Sequence, residues 1–291
     1  MKFPEELLPF QKRIDEHLLS ISQNRYGSDD KVHSACRYAL EAPGKRIRPL
    51  LTVLANQACE GDINHALSPA VAVEMIHTYS LIRDDLPCMD DDDFRRGRPT
   101  THKEFGEATA LLAGDALLTD SFHEATIDEG LPATDRLSIA RCLSEVSGGS
   151  GMVRGQESDM CGTGKPGYQM EDLNRSHLNK TGKLIAGACK VGAHSASAPQ
   201  EACQALYEFG LNLGIAFQIL DDLLDGEEGT GKSQGKDLEQ GKLTYLAIME
   251  KKQAKELAEE YTERAFAALK PLGDKKQALE SLGKALLSRT R

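Results

Sequence analysis

The chain has 291 residues, of which 40% are hydrophobic and 27% charged, and its formal net charge is −10. This length and apolar content suffice for one large core or two smaller ones, and they exclude a disordered or a membrane-embedded chain. The acidity disfavours a general nucleic-acid surface, but it leaves room for a local basic cluster that holds a small anion.

The opening stretch MKFPEELLPF carries two early acids and no basic flank, so it is unlike a secretory signal, and the mature chain is expected to begin near Met1. Helical periodicity then dominates. Val71, Met75, Ile76, Tyr79 and Ile82 recur at intervals of three and four, and Leu246, Met249, Leu257, Tyr261 and Ala265 continue the pattern near the C-terminus. Turn-forming residues break the chain at 41–44, 61–64, 130–134, 161–167, 197–200 and 226–235, which leaves segments of helical length between them. Alternating β-branched runs bounded by tight turns are missing, so no strand is expected. The longest apolar stretches, such as Leu50 to Ala55 and Leu213 to Leu220, fall far short of the roughly 18 to 20 residues of a membrane span. No repeat stands out, and a single all-α domain over residues 1–291 is expected. The seven cysteines are odd in number, scattered and without a Cys-x-x-Cys pair, which suits a reducing cytoplasmic setting.

Two acidic clusters carry the chemistry. The first lies in SLIRDDLPCMDDDDFRRGRPT, where Asp84, Asp85 and Asp90 to Asp93 run directly into Arg95, Arg96 and Arg98. A solvated, self-neutralising loop is the bland reading of such a run. Against it, the acids follow an apolar helix, and His77, Leu81 and Asp84 share one face at helical spacing. Asp84 and Asp90 lie about 120° apart on a regular helix, so the helix must distort before both can reach one ion. Pro87, which lacks a donor and clashes with the carbonyl of Arg83, is expected to supply that distortion. The second cluster, FQILDDLLD, places Gln218, Asp221, Asp222 and Asp225 on one helical face, where like charges repel unless cations lie opposite. Hard oxygen donors without a histidine or cysteine cage point to magnesium, which binds through few carboxylates plus phosphate oxygens, so a phosphate ligand is implied.

Basic segments at 44–49 (GKRIRP) and 179–183 (NKTGK) could supply phosphate-binding cations, though each alone is weak. Residues 226–233, GEEGTGKS, fit a nucleotide-binding loop letter for letter. That loop works only between a buried strand and a helix, whereas here an acidic helix precedes it and Glu227 and Glu228 would repel phosphate. A Gly-rich flap that carries Lys232, with Lys236 beyond it, over a phosphate already held by metal fits better.

With GKRIRP, DDLPCMD followed by DDDFRRGRPT, AGDALL at 113–118, GQESD at 155–159, KTG at 180–182, FQILDDLLD at 217–225 and GKSQGKD at 231–237, the whole chain resembles the short-chain trans-prenyl diphosphate synthases of the bacterial farnesyl diphosphate synthase type. The resemblance implies an isoprenoid synthase-type helical bundle around a deep central cavity, usually a homodimer. It implies that Asp84, Asp90 and Asp221 hold about three magnesium ions on the allylic diphosphate, with Arg95, Lys180 and Lys232 beside them and Asp85, Asp222 and Asp225 in support. Thr181 and Gln218 would shelter the allylic cation, and isopentenyl diphosphate would sit on Lys45, Arg48, His77 and Arg96. The product would be farnesyl diphosphate, its length set by Tyr79 with the small Ser80 after it. Tyr79 lies about 7.5 Å along the helix from Asp84 but about 140° round it, so geometry alone does not choose it over Ser80. Geranylgeranyl or geranyl diphosphate synthesis is the alternative, and a catalytically silent partner subunit is the rival of another class. One departure stands out: the family usually has histidine before the first aspartate pair, and this chain has Arg83. Arg83 could pair with Asp84 or Asp85 and compete with magnesium, or point away.

Overall fold

Two segments are apolar on every face, and the other helices are arranged around them. A computed structural model describes residues 4–162, 169–225 and 244–288. In chain order it contains α1 (Leu8–Arg25), α2 (Lys31–Leu40), α3 (Ile47–Ala58), α4 (Ile63–Asp84), a two-stranded hairpin of β1 (Phe94–Arg95) and β2 (Arg98–Pro99), α5 (Thr101–Phe105), α6 (Glu107–Thr126), α7 (Ala133–Ser147) and α8 (Met152–Gly162). There follow α9 (Met170–His177), a π-helical turn (Leu178–Gly182), α10 (Lys183–His194), α11 (Gln200–Asp225), α12 (Tyr245–Ile248), α13 (Lys251–Ala268) and α14 (Gln277–Leu287). The architecture is all-α, as the periodicity requires.

Almost every residue of α4 from Ala66 to Ile82 is buried, as is almost every residue of α10 from Leu184 to Ala193. A helix that is apolar all round has to lie inside the bundle. Accordingly α4 packs against α6, α3 and α1, while α10 packs against α11, α3 and α7. The ends of these two inner helices carry the polar motifs. Asp84 closes α4, and the π-helical turn with Lys180 and Thr181 runs directly into α10.

The start of α3 is tied to this centre by a buried cation. Arg46 has a positive φ of 49° and a 5% exposed side chain that pairs with Glu74 of α4 at 2.9 Å. It also reaches Asp15 of α1 at 3.2 Å and donates to the carbonyls of Leu40 and Ala42 at 3.0 Å. One guanidinium therefore joins α1, the end of α2, α3 and α4, and it holds the flanking Lys45 and Arg48 in register.

Three local expectations are corrected. The helix does not continue in distorted form past Pro87; α4 ends at Asp84, and the chain folds back so that the Asp90 N–H donates to the Asp84 carbonyl at 2.9 Å. The residue before a proline is disfavoured in the helical region, so a stop replaces the kink. Strand does occur, in a minimal hairpin that pairs Arg95 with Arg98 and Phe94 with Pro99. Its central residues, Arg96 and Gly97, both have positive φ (54° and 76°), as a tight two-residue turn demands. The C-terminal apolar pattern is also two helices rather than one. Glu250 and Gln253 form a capping box that starts α13, and Met249 before them is extended.

Glu74→Ala leaves the buried Arg46 guanidinium without its closest partner, and we expect it to destabilise the fold by about 3 kcal/mol or more. Urea unfolding of the purified variant beside the parent measures this.

Candidate functional site

The end of α4 gathers charge that the helix itself opposes. Carbonyl dipoles make a helix C-terminus partly negative, so carboxylates there need cations. Asp84 has one. Arg83 donates Nη2 and Nε to the same oxygen, Asp84 Oδ1, at 2.9 and 3.1 Å, and these side chains are 18% and 13% exposed. The open question about Arg83 is thereby answered: it pairs with Asp84. Its Nη1 also donates to the Tyr79 hydroxyl at 3.1 Å. Asp85 is fully inside, and Arg95 binds its Oδ1 through Nε at 2.6 Å while also facing Asp92 at 3.6 Å. Burial pushes both carboxyls up from the usual range, against Arg83 and Lys180 at Asp84 and against Arg95 at Asp85.

The hairpin sends its two consecutive arginines to different places. Arg95 turns to the carboxylates, whereas Arg96 reaches Gly44, where an added Cβ would meet its Nη1 at 2.7 Å. Gly44 is thus the gap that admits Arg96 to the second basic group. There Arg48 Nη1 donates to His77 Nε2 at 3.2 Å. His77 is held well below its ordinary value by burial and by the charges of Arg48, Arg96, Arg95 and Arg46, so it is neutral. Burial, with Arg96 nearby, lowers Arg48 to about 10. The buried Nε of Arg48 has no acceptor among the described residues. A buried guanidinium N–H of this kind matches an arriving anion. Lys45 is exposed at the rim of the group.

The π-helical turn presents the third set. Lys180 Nζ pairs with Asp159 Oδ2 at 2.6 Å, and Thr181 Oγ1 donates to Gln218 Oε1 at 3.2 Å. Such single turns recur at functional sites because they re-aim side chains that a regular helix would space differently. Close approach of α8 makes this possible: a Cβ on Gly155 would lie 2.1 Å from the Lys180 amide nitrogen. Asp159 is the site residue to which sequence reasoning assigned no role, although Gly155 and Asp159 share a helical face.

At the end of α11, Asp221 is half-buried, while Asp222 is buried and engaged. Gln218 Nε2 donates to Asp222 Oδ1 at 3.3 Å, and Asp222 Oδ2 accepts the Tyr245 N–H at 2.9 Å. Asp222 thus ties α11 to α12. Asp225 closes α11. Lys232, Lys236 and the GEEGTGKS stretch lie outside the described residues. Asp90 is half-buried, folded back on Asp84. Tyr79 and Ser80 are both buried, and the Tyr79 ring packs over Gly114, where an added Cβ would stand 3.7 Å from Cδ2. Among the described residues no three histidine, cysteine or carboxylate side chains are placed to hold a metal by themselves. Asp84, Asp90 and Asp221 are carboxylate donors, which a hard cation takes together with water and phosphate oxygens.

In this all-α bundle the ends of the two inner helices carry carboxylates and a Lys-Thr turn, with the arginines of the hairpin beside them. The polyprenyl synthetase family model matches residues 29–282, and the chain belongs to that family. A farnesyl diphosphate synthase of Geobacillus stearothermophilus is 46% identical, covering 87% of this chain and 86% of its own. A chloroplastic geranylgeranyl pyrophosphate synthase of Arabidopsis thaliana is 44% identical over 82% of this chain and 68% of its own. The crystal structure of an FPP/GFPP synthase from Zymomonas mobilis superposes with a TM-score of 0.87 at 31% identity, covering 97% of this chain and 99% of that one.

The buried histidines dictate a pH dependence. Burial lowers His77 well below 6.5 and His177 to about 4, so in the folded state neither takes a proton near pH 6. In the unfolded chain both protonate at about 6.5, so the unfolded state binds more protons and stability falls as pH drops from about 7 to 5. Asp84 and Asp85, raised by burial, act in the opposite sense at lower pH. Urea midpoints across that window will fall with pH, and His177→Asn will flatten the slope.

Proposed function

We propose that this chain condenses dimethylallyl or geranyl diphosphate with isopentenyl diphosphate to give (2E,6E)-farnesyl diphosphate and diphosphate, with magnesium as cofactor. The observation that carries this reading is the division of basic groups around the hairpin. Arg95 serves the carboxylates at the end of α4, while Arg96 joins Arg48 and His77. Two basic groups, neighbouring but differently partnered, suit two diphosphate substrates. A terpene cyclase, which takes one, has no use for the second.

Asp84, Asp90 and Asp221 are the residues that would hold the magnesium ions, whose charge would offset that of the departing diphosphate. Arg95, Lys180 and Lys232 add positive charge around the same leaving group, which is the electrostatic stabilisation such a step needs. Asp85 anchors Arg95, and Asp159 anchors Lys180. As the allylic carbon–oxygen bond breaks, the Thr181 hydroxyl and Gln218 side-chain oxygen, already in contact, face the cation without a strong nucleophile between them. Lys45, Arg48, His77 and Arg96 hold isopentenyl diphosphate, whose double bond attacks the cation. The released diphosphate takes the proton lost from the new carbon skeleton. The growing tail runs along α4 toward Tyr79, whose buried ring stops it at fifteen carbons.

The proposed assembly is a homodimer, and large apolar side chains are available on the surface for it. Leu111 and Leu112 on α6, Leu137 on α7 and Met160 on α8 are all large and exposed. Seven free cysteines suit the reducing cytoplasm, and no helix among the described residues is long and apolar enough to cross a membrane.

Purified protein supplied with geranyl diphosphate, isopentenyl diphosphate and magnesium should release farnesyl diphosphate. Absence of turnover would assign it instead as a silent partner subunit. Asp84→Ala and Asp221→Ala should each lower kcat at least about a hundredfold, because each removes a group that acts mainly in the transition state. Steady-state rates check this. Tyr79→Ala removes a rigid ring from the end of the tail's path, and chromatography of the products should find geranylgeranyl diphosphate as a major species.

A further inference from the structure

The departure at Arg83 does more than neutralise an aspartate. Its guanidinium bridges two side chains that stand about 140° apart round the end of α4: Nε and Nη2 donate to Asp84 Oδ1, and Nη1 donates to the Tyr79 hydroxyl at 3.1 Å. The guanidinium carbon also lies 5.3 Å from the centre of the Tyr79 ring. One planar, permanently charged group therefore fixes both the carboxylate proposed to carry metal and the ring proposed to stop the chain. The ion pair engages Oδ1 through both nitrogens, so Asp84 can remain paired while Oδ2 serves a metal.

We propose that Arg83 is a specificity-determining positioning residue that tethers Tyr79 and so sharpens product length, and this rests on the reading of Tyr79 as the stop for the growing tail. The physical reason is local. The Tyr79 ring also lies near Gly114, where an added Cβ would stand 3.7 Å from Cδ2. Position 114 thus gives the ring no side chain to pack against, and the hydroxyl tether adds a directional contact that packing there does not. A shorter neutral side chain at position 83 leaves the phenol without its charged donor. The ring is then held less firmly across the path of the tail, and a further isoprene unit is admitted more often.

The test combines product analysis with a double-mutant cycle. Arg83→Gln should raise the ratio of twenty-carbon to fifteen-carbon product on the order of tenfold, the factor expected for loss of one charge-assisted hydrogen bond. Tyr79→Phe, which keeps the ring and removes the acceptor, should shift the ratio the same way. The double variant should go no further than the larger single change, since both break the same contact. In metal-free protein, the parent and these three variants unfolded in urea should display a coupling of at least about threefold in the unfolding equilibrium constant. That measurement decides the matter if Arg83→Gln turns over too slowly for product analysis. If Arg83→Gln keeps the parental product ratio while Tyr79→Ala lengthens the product, or if the metal-free coupling is absent, the tether is wrong. If Tyr79→Ala also stops at fifteen carbons, it is the underlying assignment of Tyr79 that fails.

Discussion

Carboxylates at the C-terminal ends of buried helices are electrostatically misplaced, and much of this molecule is organised by the need to compensate them. The last turn of α4 is already the partly negative end of the helix dipole, and Asp84 and Asp85 add charge in the same place. Burial worsens the conflict by pushing both carboxyls toward protonation. The protein answers with arginines drawn from two sides: Arg83 from the helix itself and Arg95 from the hairpin that follows. Lys180, whose charge also acts on Asp84, comes from a distant part of the chain and is itself anchored by Asp159. At the end of α11 the same problem is met differently, with Asp222 using its oxygens on Gln218 and the Tyr245 amide. The proposed magnesium ions would add to this compensation and carry the diphosphate.

The path from packing to chemistry runs through a few close approaches. Because α8 lies against the π-helical turn at Gly155, Asp159 can reach Lys180. Because Gly44 has no side chain, Arg96 can enter beside Arg48 and His77. The buried Arg46–Glu74 pair sets the start of α3 against α4. It thereby fixes the distance between the Arg48 group, carried by α3, and the Asp84 group, carried by α4. Removing the wrong neighbour from any of these contacts would move a catalytic candidate without touching it.

Helical class, the breaks at 41–44, 61–64, 130–134 and 197–200, and both acidic motifs were readable from the chain because each is a local property. Residue spacing of three and four reports a buried helix face wherever the partner lies, and Gly61–Asp62 or 130–132 interrupt a helix for reasons contained in a few residues. The expected companions Thr181 and Gln218 do meet, although 37 residues separate them. Three features were decided only by tertiary structure. The Arg96-Gly97 turn splits two adjacent arginines between two sites, which depends on backbone angles of positive φ that a charge run does not disclose. Asp222, identical in sequence to its neighbour Asp221, becomes a structural link because α12 brings the Tyr245 amide to it. Arg83 could have faced either aspartate or solvent, and its choice of Asp84 and Tyr79 follows from how the end of α4 is buried. Local spacing tells which face a side chain shares; which partner stands opposite that face is settled when the helices pack.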